Sequence, residues 1–282
     1  MTGAAGPAAL AGLREIAARY DAFFVDQFGV LHDGTAPYPD AVETLLRLTG
    51  AGKRVLLLSN SGKRSAPNEA RLERLGFPRG SWTHFLSSGE VAWSILAEAF
   101  EEGPRRRCLL IARDGDRSAI AGLPLDPSED AADCALVLIA ASQGDEKSLD
   151  DYAALLAPAA ARGVPAYCTN PDEHMLTPRG LRFGAGRIAR LYESLGGEVT
   201  WIGKPFPAIY AAARRGVGAI DPARILCVGD SIEHDIVGAR RAGLASWLVT
   251  GGIHAGLRED DFEARYAAAG AIPDFISPRF RW

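Results

Sequence analysis

Apolar runs suited to buried strands alternate with segments of helical period along nearly the whole chain. That alternation constrains the fold more than any other feature. Ala22-Phe23-Phe24-Val25, Arg54-Val55-Leu56-Leu57-Leu58, Arg224-Ile225-Leu226-Cys227-Val228 and Ala245 to Val249 read as strands. Pro39 to Thr49, Pro67 to Leu75, Phe206 to Arg215 and Ile232 to Ala242 read as helices between them, and Leu10, Leu13, Ile16, Ala17 and Tyr20 mark an amphipathic opening helix. Strands alternating with helices require crossover connections. The fold class is therefore α/β, a doubly wound, mostly parallel sheet with helices on both faces.

The middle of the chain repeats the theme more loosely. Cys108-Leu109-Leu110-Ile111, Ala135 to Ile139 and Val164 to Cys168 read as strands, with a helix over Leu149 to Ala161 and a polar stretch from Arg113 to Asp133. Residues 89–183 read as a second α/β module inserted into a core formed by residues 1–88 and 184–282. The helix Ile188 to Leu195 and the run Val199-Thr200-Trp201-Ile202 fall in that core.

Bulk properties narrow the partners. With 282 residues, 48% of them hydrophobic and 23% charged, the chain has material for a large core. The net charge is −4, and no basic cluster interleaves with aromatics as a nucleic-acid groove requires. No apolar stretch is long enough to span a membrane. Met1 to Leu13 carries no basic leader, so a cytoplasmic protein is expected. Cys108, Cys134, Cys168 and Cys227 are far apart and form no Cys-x-x-Cys pair, which suits small buried hydrophobes in a reducing compartment.

Polar residues stand where apolar strands end: Asp26, Ser59-Asn60, Lys204, and Asp230 with Asp235 behind it. In open α/β sheets the carboxyl rim of the strands is where ligands bind. A carboxylate there is costly to desolvate and is rarely only structural. Singly, Ser59-Asn60 suits a turn, Lys204 a surface lysine and Asp230 a helix cap. Together they suit phosphoryl transfer: Asp26 as a carboxylate nucleophile, Asp26 and Asp230 as oxygen ligands for Mg²⁺, Ser59 as a phosphate ligand and Lys204 as the neutralising cation.

In this order the residues resemble the haloacid dehalogenase superfamily of aspartate-nucleophile hydrolases, in the branch with a large α/β cap that includes p-nitrophenyl-, pyridoxal- and phosphoglycolate-type phosphatases. The motifs are Asp26-Gln27-Phe28-Gly29-Val30-Leu31, Leu58-Ser59-Asn60-Ser61, Gly203-Lys204-Pro205, and Val228-Gly229-Asp230 with Asp235-Ile236 and Gly238-Ala239. Asn170-Pro171-Asp172 resembles the branch's cap motif, and Thr250-Gly251-Gly252 is also branch-like. The resemblance implies a Rossmann-like hydrolase core, Mg²⁺ held by Asp26, the Phe28 backbone carbonyl and Asp230 with Asp235 nearby, phosphate held by Ser59, Asn60 and Lys204, and substrate contacts at Asn170 and Asp172. It also implies a small phosphorylated metabolite as substrate. Homodimers formed through the cap occur in the branch, and the sequence itself chooses no oligomeric state.

One position departs from the pattern. The family's phosphatases carry a second Asp two residues after the nucleophile, as the acid that protonates the leaving group; this chain has Phe28. A positioned acid is worth ~10²–10⁴ in rate. His32 is the candidate replacement, with Asp33 beside it. Three functions stay open: a Mg²⁺-dependent phosphatase, which the motif set favours; an aspartate-nucleophile hydrolase of a non-phosphate bond, since 2-haloacid dehalogenases carry an aromatic residue there; and a catalytically weak phospho-ligand-binding protein.

Overall fold

The computed structural model describes residues 6–177, 180–252, 256 and 258–282, apart from the side chains at 176, 259 and 260. The first five residues of the Ala- and Gly-rich start therefore lie outside the described residues. The chain divides into two units: residues 1–59, 69–86 and 204–282 form the first, and residues 60–68 and 87–203 the second.

The first unit is built on a sheet in the spatial order Ala8–Ala9, Phe275–Ser277, Ala245–Val249, Ile225–Gly229, Ala22–Val25, Arg54–Ser59, His84–Ser87. Ala22–Val25 lies inside the sheet, parallel to both neighbours, with Val25 opposite Leu57 on one side and Val228 on the other. All four residues of that strand are buried, as expected of a strand covered on both faces. Phe23, Val25, Leu57, Leu226, Val228 and Trp247 form part of the core beneath it.

The second unit has its own parallel sheet, in the order Val199–Trp201, Ala166–Cys168, Leu136–Ile139, Arg106–Ile111, Leu125–Ser128, and an antiparallel hairpin of His174–Thr177 and Gly180–Phe183. Its core includes Leu109, Val137, Ile139, Tyr152, Leu156, Ile188 and Tyr192. The cysteines are buried and unpaired. Among the described residues no helix is long and apolar enough to cross a membrane.

Several expectations need correction. Residues 184–203, expected in the hydrolase core, belong to the second unit: Val199–Trp201 pairs with Ala166–Cys168, and Ile188, Ala189 and Tyr192 pack in the core of that unit. The opening segment is not an amphipathic α-helix but two 3₁₀ turns, Leu13–Glu15 and Ala17–Arg19. Its apolar residues are buried all the same, because a short segment can face the core without completing regular turns. The polar stretch from Arg113 to Asp133 contains the edge strand Leu125–Ser128, where Pro127 is tolerated because an edge position can lack an N–H donor.

Candidate active site

Asp26 follows the interior strand Ala22–Val25, and its N–H donates to the Val228 carbonyl at 2.9 Å. Ser59 ends the neighbouring strand on one side, and Asp230 follows the strand Ile225–Gly229 on the other. Lys204 begins the stretch that leads into the helix Pro207–Val217. Its ammonium is 2.7 Å from Asp26 Oδ1 and 2.7 Å from Asp235 Oδ1, and Lys204 itself is only 3% exposed.

Asp235 reaches this position through an irregular turn. Residues Ile232–Ile236 form one turn of π-helix, with the Ile236 N–H donating back five residues to the Ser231 carbonyl at 3.2 Å. Such turns insert one residue into a helix and recur at functional sites. The Asp235 carboxylate then accepts from the Ser231 N–H at 3.1 Å through Oδ2 and from Lys204 through Oδ1. Gly229 makes room for it: a Cβ at that position would stand 2.0 Å from the Asp235 carboxyl carbon.

The charges are strongly coupled. Burial raises the Asp26 carboxyl to about 6; Lys204 pulls against that rise and Asp235 adds to it. Burial also opposes the Lys204 charge, but Asp235 and Asp26 outweigh it and hold the ammonium above the ordinary lysine range. Lys204 is thus firmly cationic, while Asp26 is a carboxylate with unusually high basicity.

An oxygen from each of Asp26, Asp230 and Asp235 lies within 4.8 Å of the others. That all-oxygen set fits a hard divalent cation. Glycines make room for the Asp230 carboxylate: a Cβ at Gly29 would stand 1.8 Å from Asp230 Oδ2, and one at Gly252 would stand 2.1 Å from it. Gly29 also has φ of 84°, a conformation that side chains disfavour.

Phe28 is 40% exposed, one of the few large apolar side chains so placed among the described residues. Its ring meets the edge of His32, centroids 6.0 Å apart. His32 does not fit the role of replacement acid. It is 2% exposed, and its other ring neighbour is Phe77 at 6.3 Å. Nδ1 accepts the Gly34 N–H at 3.0 Å, and Nε2 is buried with no hydrogen-bond partner. Burial, then Arg71, push its pKa down to about 4, so it is neutral at pH 7 and holds no proton it can readily give. Asp33 is no better an acid. Hydrogen bonds from Thr35 and Ala36 hold it down to about 2, in a turn it organises.

Asn60, Asn170 and Asp172 belong to the second unit. Asn60 Nδ2 donates to Asp172 Oδ1 at 2.8 Å, and the Asp172 N–H donates to Asn170 Oδ1 at 3.1 Å. His174 lies in the hairpin, opposite Phe183, and the His234 N–H donates to Ser231 Oγ within the π turn.

Known proteins resemble this chain in sequence and in fold. Residues 23–125 match the haloacid dehalogenase-like hydrolase model, and residues 201–277 match a second model of the same kind. Human chronophin is 31% identical over 270 residues, covering 92% of this chain and 90% of that protein. A haloacid dehalogenase-like hydrolase from Brucella suis 1330 superposes with a TM-score of 0.78 at 32% identity, covering 86% of this chain and 90% of that one. The glycerol phosphate phosphatase of Mycobacterium tuberculosis, solved in complex with magnesium, superposes with a TM-score of 0.72 at 29% identity, covering 93% of this chain and 75% of that one. The chain belongs to the haloacid dehalogenase-like hydrolases, in their capped branch. It is an enzyme of the hydrolase class, and its named relatives include phosphatases.

Proposed function

We propose that the protein is a Mg²⁺-dependent phosphatase of a small phosphorylated metabolite, working through an aspartyl-phosphate on Asp26. The observation that carries this reading is the Lys204 ammonium shared at 2.7 Å by Asp26 and Asp235. Asp26, Asp230 and the Phe28 carbonyl would hold the ion, with Asp235 beside it. Bound there, Mg²⁺ supplies positive charge that draws phosphate oxygens and offsets their repulsion of an attacking carboxylate. The magnesium complex of the Mycobacterium tuberculosis relative supports the choice of ion, and that relative's glycerol phosphate supports the substrate class.

The Asp26 carboxylate attacks phosphorus, and the bond from phosphorus to the leaving oxygen breaks with its electron pair on that oxygen. Water then attacks the phosphoryl group, releasing phosphate and restoring the carboxylate. Lys204 fixes Asp26 through Oδ1 and faces the charge that develops on phosphorus. Ser59 binds a phosphate oxygen. The decisive experiment is hydrolysis of p-nitrophenyl phosphate with Mg²⁺: turnover lost on chelation supports the reading, and none in the wild type overturns it. Metal-independent hydrolysis of a carbon–halogen bond would favour the dehalogenase-like alternative.

The metal assignment makes a separate prediction. Asp230→Asn weakens Mg²⁺ binding by more than about tenfold. Phe28→Ala leaves it nearly intact, because only the backbone of residue 28 takes part. Equal losses in calorimetry contradict the ligand set.

Phe28 governs the leaving group. With neither His32 nor Asp33 able to donate a proton, wild type favours esters whose alcohols depart as anions, such as p-nitrophenyl phosphate. Phe28→Asp raises hydrolysis of alkyl phosphates by up to ~10²–10⁴. The position is exposed enough to hold a carboxyl group without a large desolvation cost. An unchanged ratio of aryl to alkyl rates in the folded variant would show that the acid comes from elsewhere.

A further inference from the structure

Lys204 and Asp235 sit on two segments that meet twice. The first meeting is the ion pair, Lys204 Nζ to Asp235 Oδ1 at 2.7 Å. The second lies a short way along each chain. Shortly after Lys204 the helix Pro207–Val217 begins, with Tyr210 near its start. Asp235 belongs to the π turn Ile232–Ile236, and the helix Val237–Arg241, which carries Gly238, follows it directly. A Cβ at Gly238 would stand 2.2 Å from the Tyr210 hydroxyl oxygen and 2.7 Å from two carbons of its ring. All of these residues lie in the first unit.

Neither side of the second meeting gives way easily. Tyr210 is buried, and Ile209, Ala213 and Val217 of the same helix are buried with it. On the other segment, Gly238 and Ala239 are buried. The π turn is also held by Ile232 and Ile236, which pack with Leu248, Phe262 and Tyr266. Interiors packed this way pass a displacement on to their neighbours. Burial pushes the Tyr210 phenol well above the ordinary tyrosine range, and Cys227, Asp235 and Asp26 add to that rise. The phenol therefore stays neutral beside the acidic cluster.

We infer that Tyr210 is a positioning residue for Asp235: its phenol, seated on the backbone of Gly238, sets how the π turn lies against the segment that carries Lys204. An ion pair alone allows many geometries, because a long ammonium side chain can follow a carboxylate that moves. A second, stiff contact between the same two segments removes that freedom. A methyl group at position 238 is then enough to open the pair, although its nearest neighbours would all be atoms of Tyr210. Only the kinetic test of this inference rests on the phosphatase reading.

Reciprocal substitution tests it, with p-nitrophenyl phosphate and Mg²⁺, well below the melting temperature, and kcat taken per folded molecule. Gly238→Ala overpacks the contact and Tyr210→Leu slackens it; each lowers kcat by ~10–10² with KM little changed. Combined, the added methyl occupies room that the shorter side chain has left, and kcat returns to within about threefold of wild type. A merely structural role lowers the melting temperature and leaves kcat per folded molecule alone. Wild-type kcat in Gly238→Ala, or losses that multiply in the double variant, overturn the assignment and leave the phosphatase reading intact. A wild type with no Mg²⁺-dependent turnover overturns that reading instead, and crystal structures then decide the inference. Lys204 and Asp235 are expected to part beyond about 3.5 Å in Gly238→Ala and to close again in the double variant; an unchanged pair rejects the role. Should Gly238→Ala fail to fold, Tyr210→Leu against the double variant still decides, by kcat or by the separation of the pair. Recovery in the double variant is expected, and no recovery rejects the role.

Discussion

Asp26→Asn is expected to abolish turnover, by ~10³ or more, and at the same time to make the metal-free protein harder to melt. The two effects share a cause. Desolvation in the folded protein, with Asp235 adding to it and Lys204 opposing it, pushes the Asp26 carboxyl up to about 6, against 3.8 as its ordinary value. The folded state therefore holds more protons than the unfolded chain between about pH 4 and pH 6, and stability falls as pH rises through that window. Above it the whole cost is present, on the order of 1–3 kcal/mol. The neutral amide removes it. Melting curves in chelator should show a gain for the variant at pH 8 and none below pH 4. An equal gain at both pH values would mean that the carboxylate is not held at a cost. Residual turnover near the wild-type rate would remove Asp26 as the nucleophile.

Lys204→Met should lose both activity and stability. Removing the cation from a transition-state charge typically costs ~10²–10³ in kcat. It also leaves Asp26 and Asp235, each 2.7 Å from the ammonium, facing one another without it. Breaking a buried pair from one side costs about 3–5 kcal/mol. The loss should be largest above pH 6, where both carboxylates are charged, and smaller at pH 4, where Asp26 takes up a proton. The opposite signs of the two variants in the same melting experiment distinguish a strained acidic cluster from an ordinary salt bridge. Near-normal kcat in Lys204→Met would show that the lysine serves packing alone.

The strand ends that carry this site are legible in the sequence because complete burial is written in composition. Phe23, Phe24 and Val25 can only be interior, and the residue after them must emerge at the rim. What stays hidden is whatever depends on which surfaces meet. The run Val199-Thr200-Trp201 reads as a strand but does not say that its partner is Ala166–Cys168. His32 reads as a titratable group beside the nucleophile; only the packing of Phe28 and Phe77 around it makes it a neutral core residue. The pattern from Ile232 to Ala242 reads as one helix, since hydrophobic spacing is too coarse to reveal a single extra residue in a turn. The link between Asn60 and Asp172 leaves no local trace at all, being a single hydrogen bond across more than a hundred positions.

The π turn at Ile232–Ile236 makes chain length, as well as residue identity, part of the acidic cluster. Each residue of a helix advances the next side chain by about 100°. Deleting one residue between Asp230 and Asp235 would restore an ordinary helical turn and swing the later carboxylate far from Lys204, although every motif residue remained. Insertions and deletions in that short segment should therefore be selected against more severely than substitutions at its outward positions. Among related sequences, the spacing from Asp230 to Asp235 is then a sharper mark of a working site than the identity of residues 232 to 234.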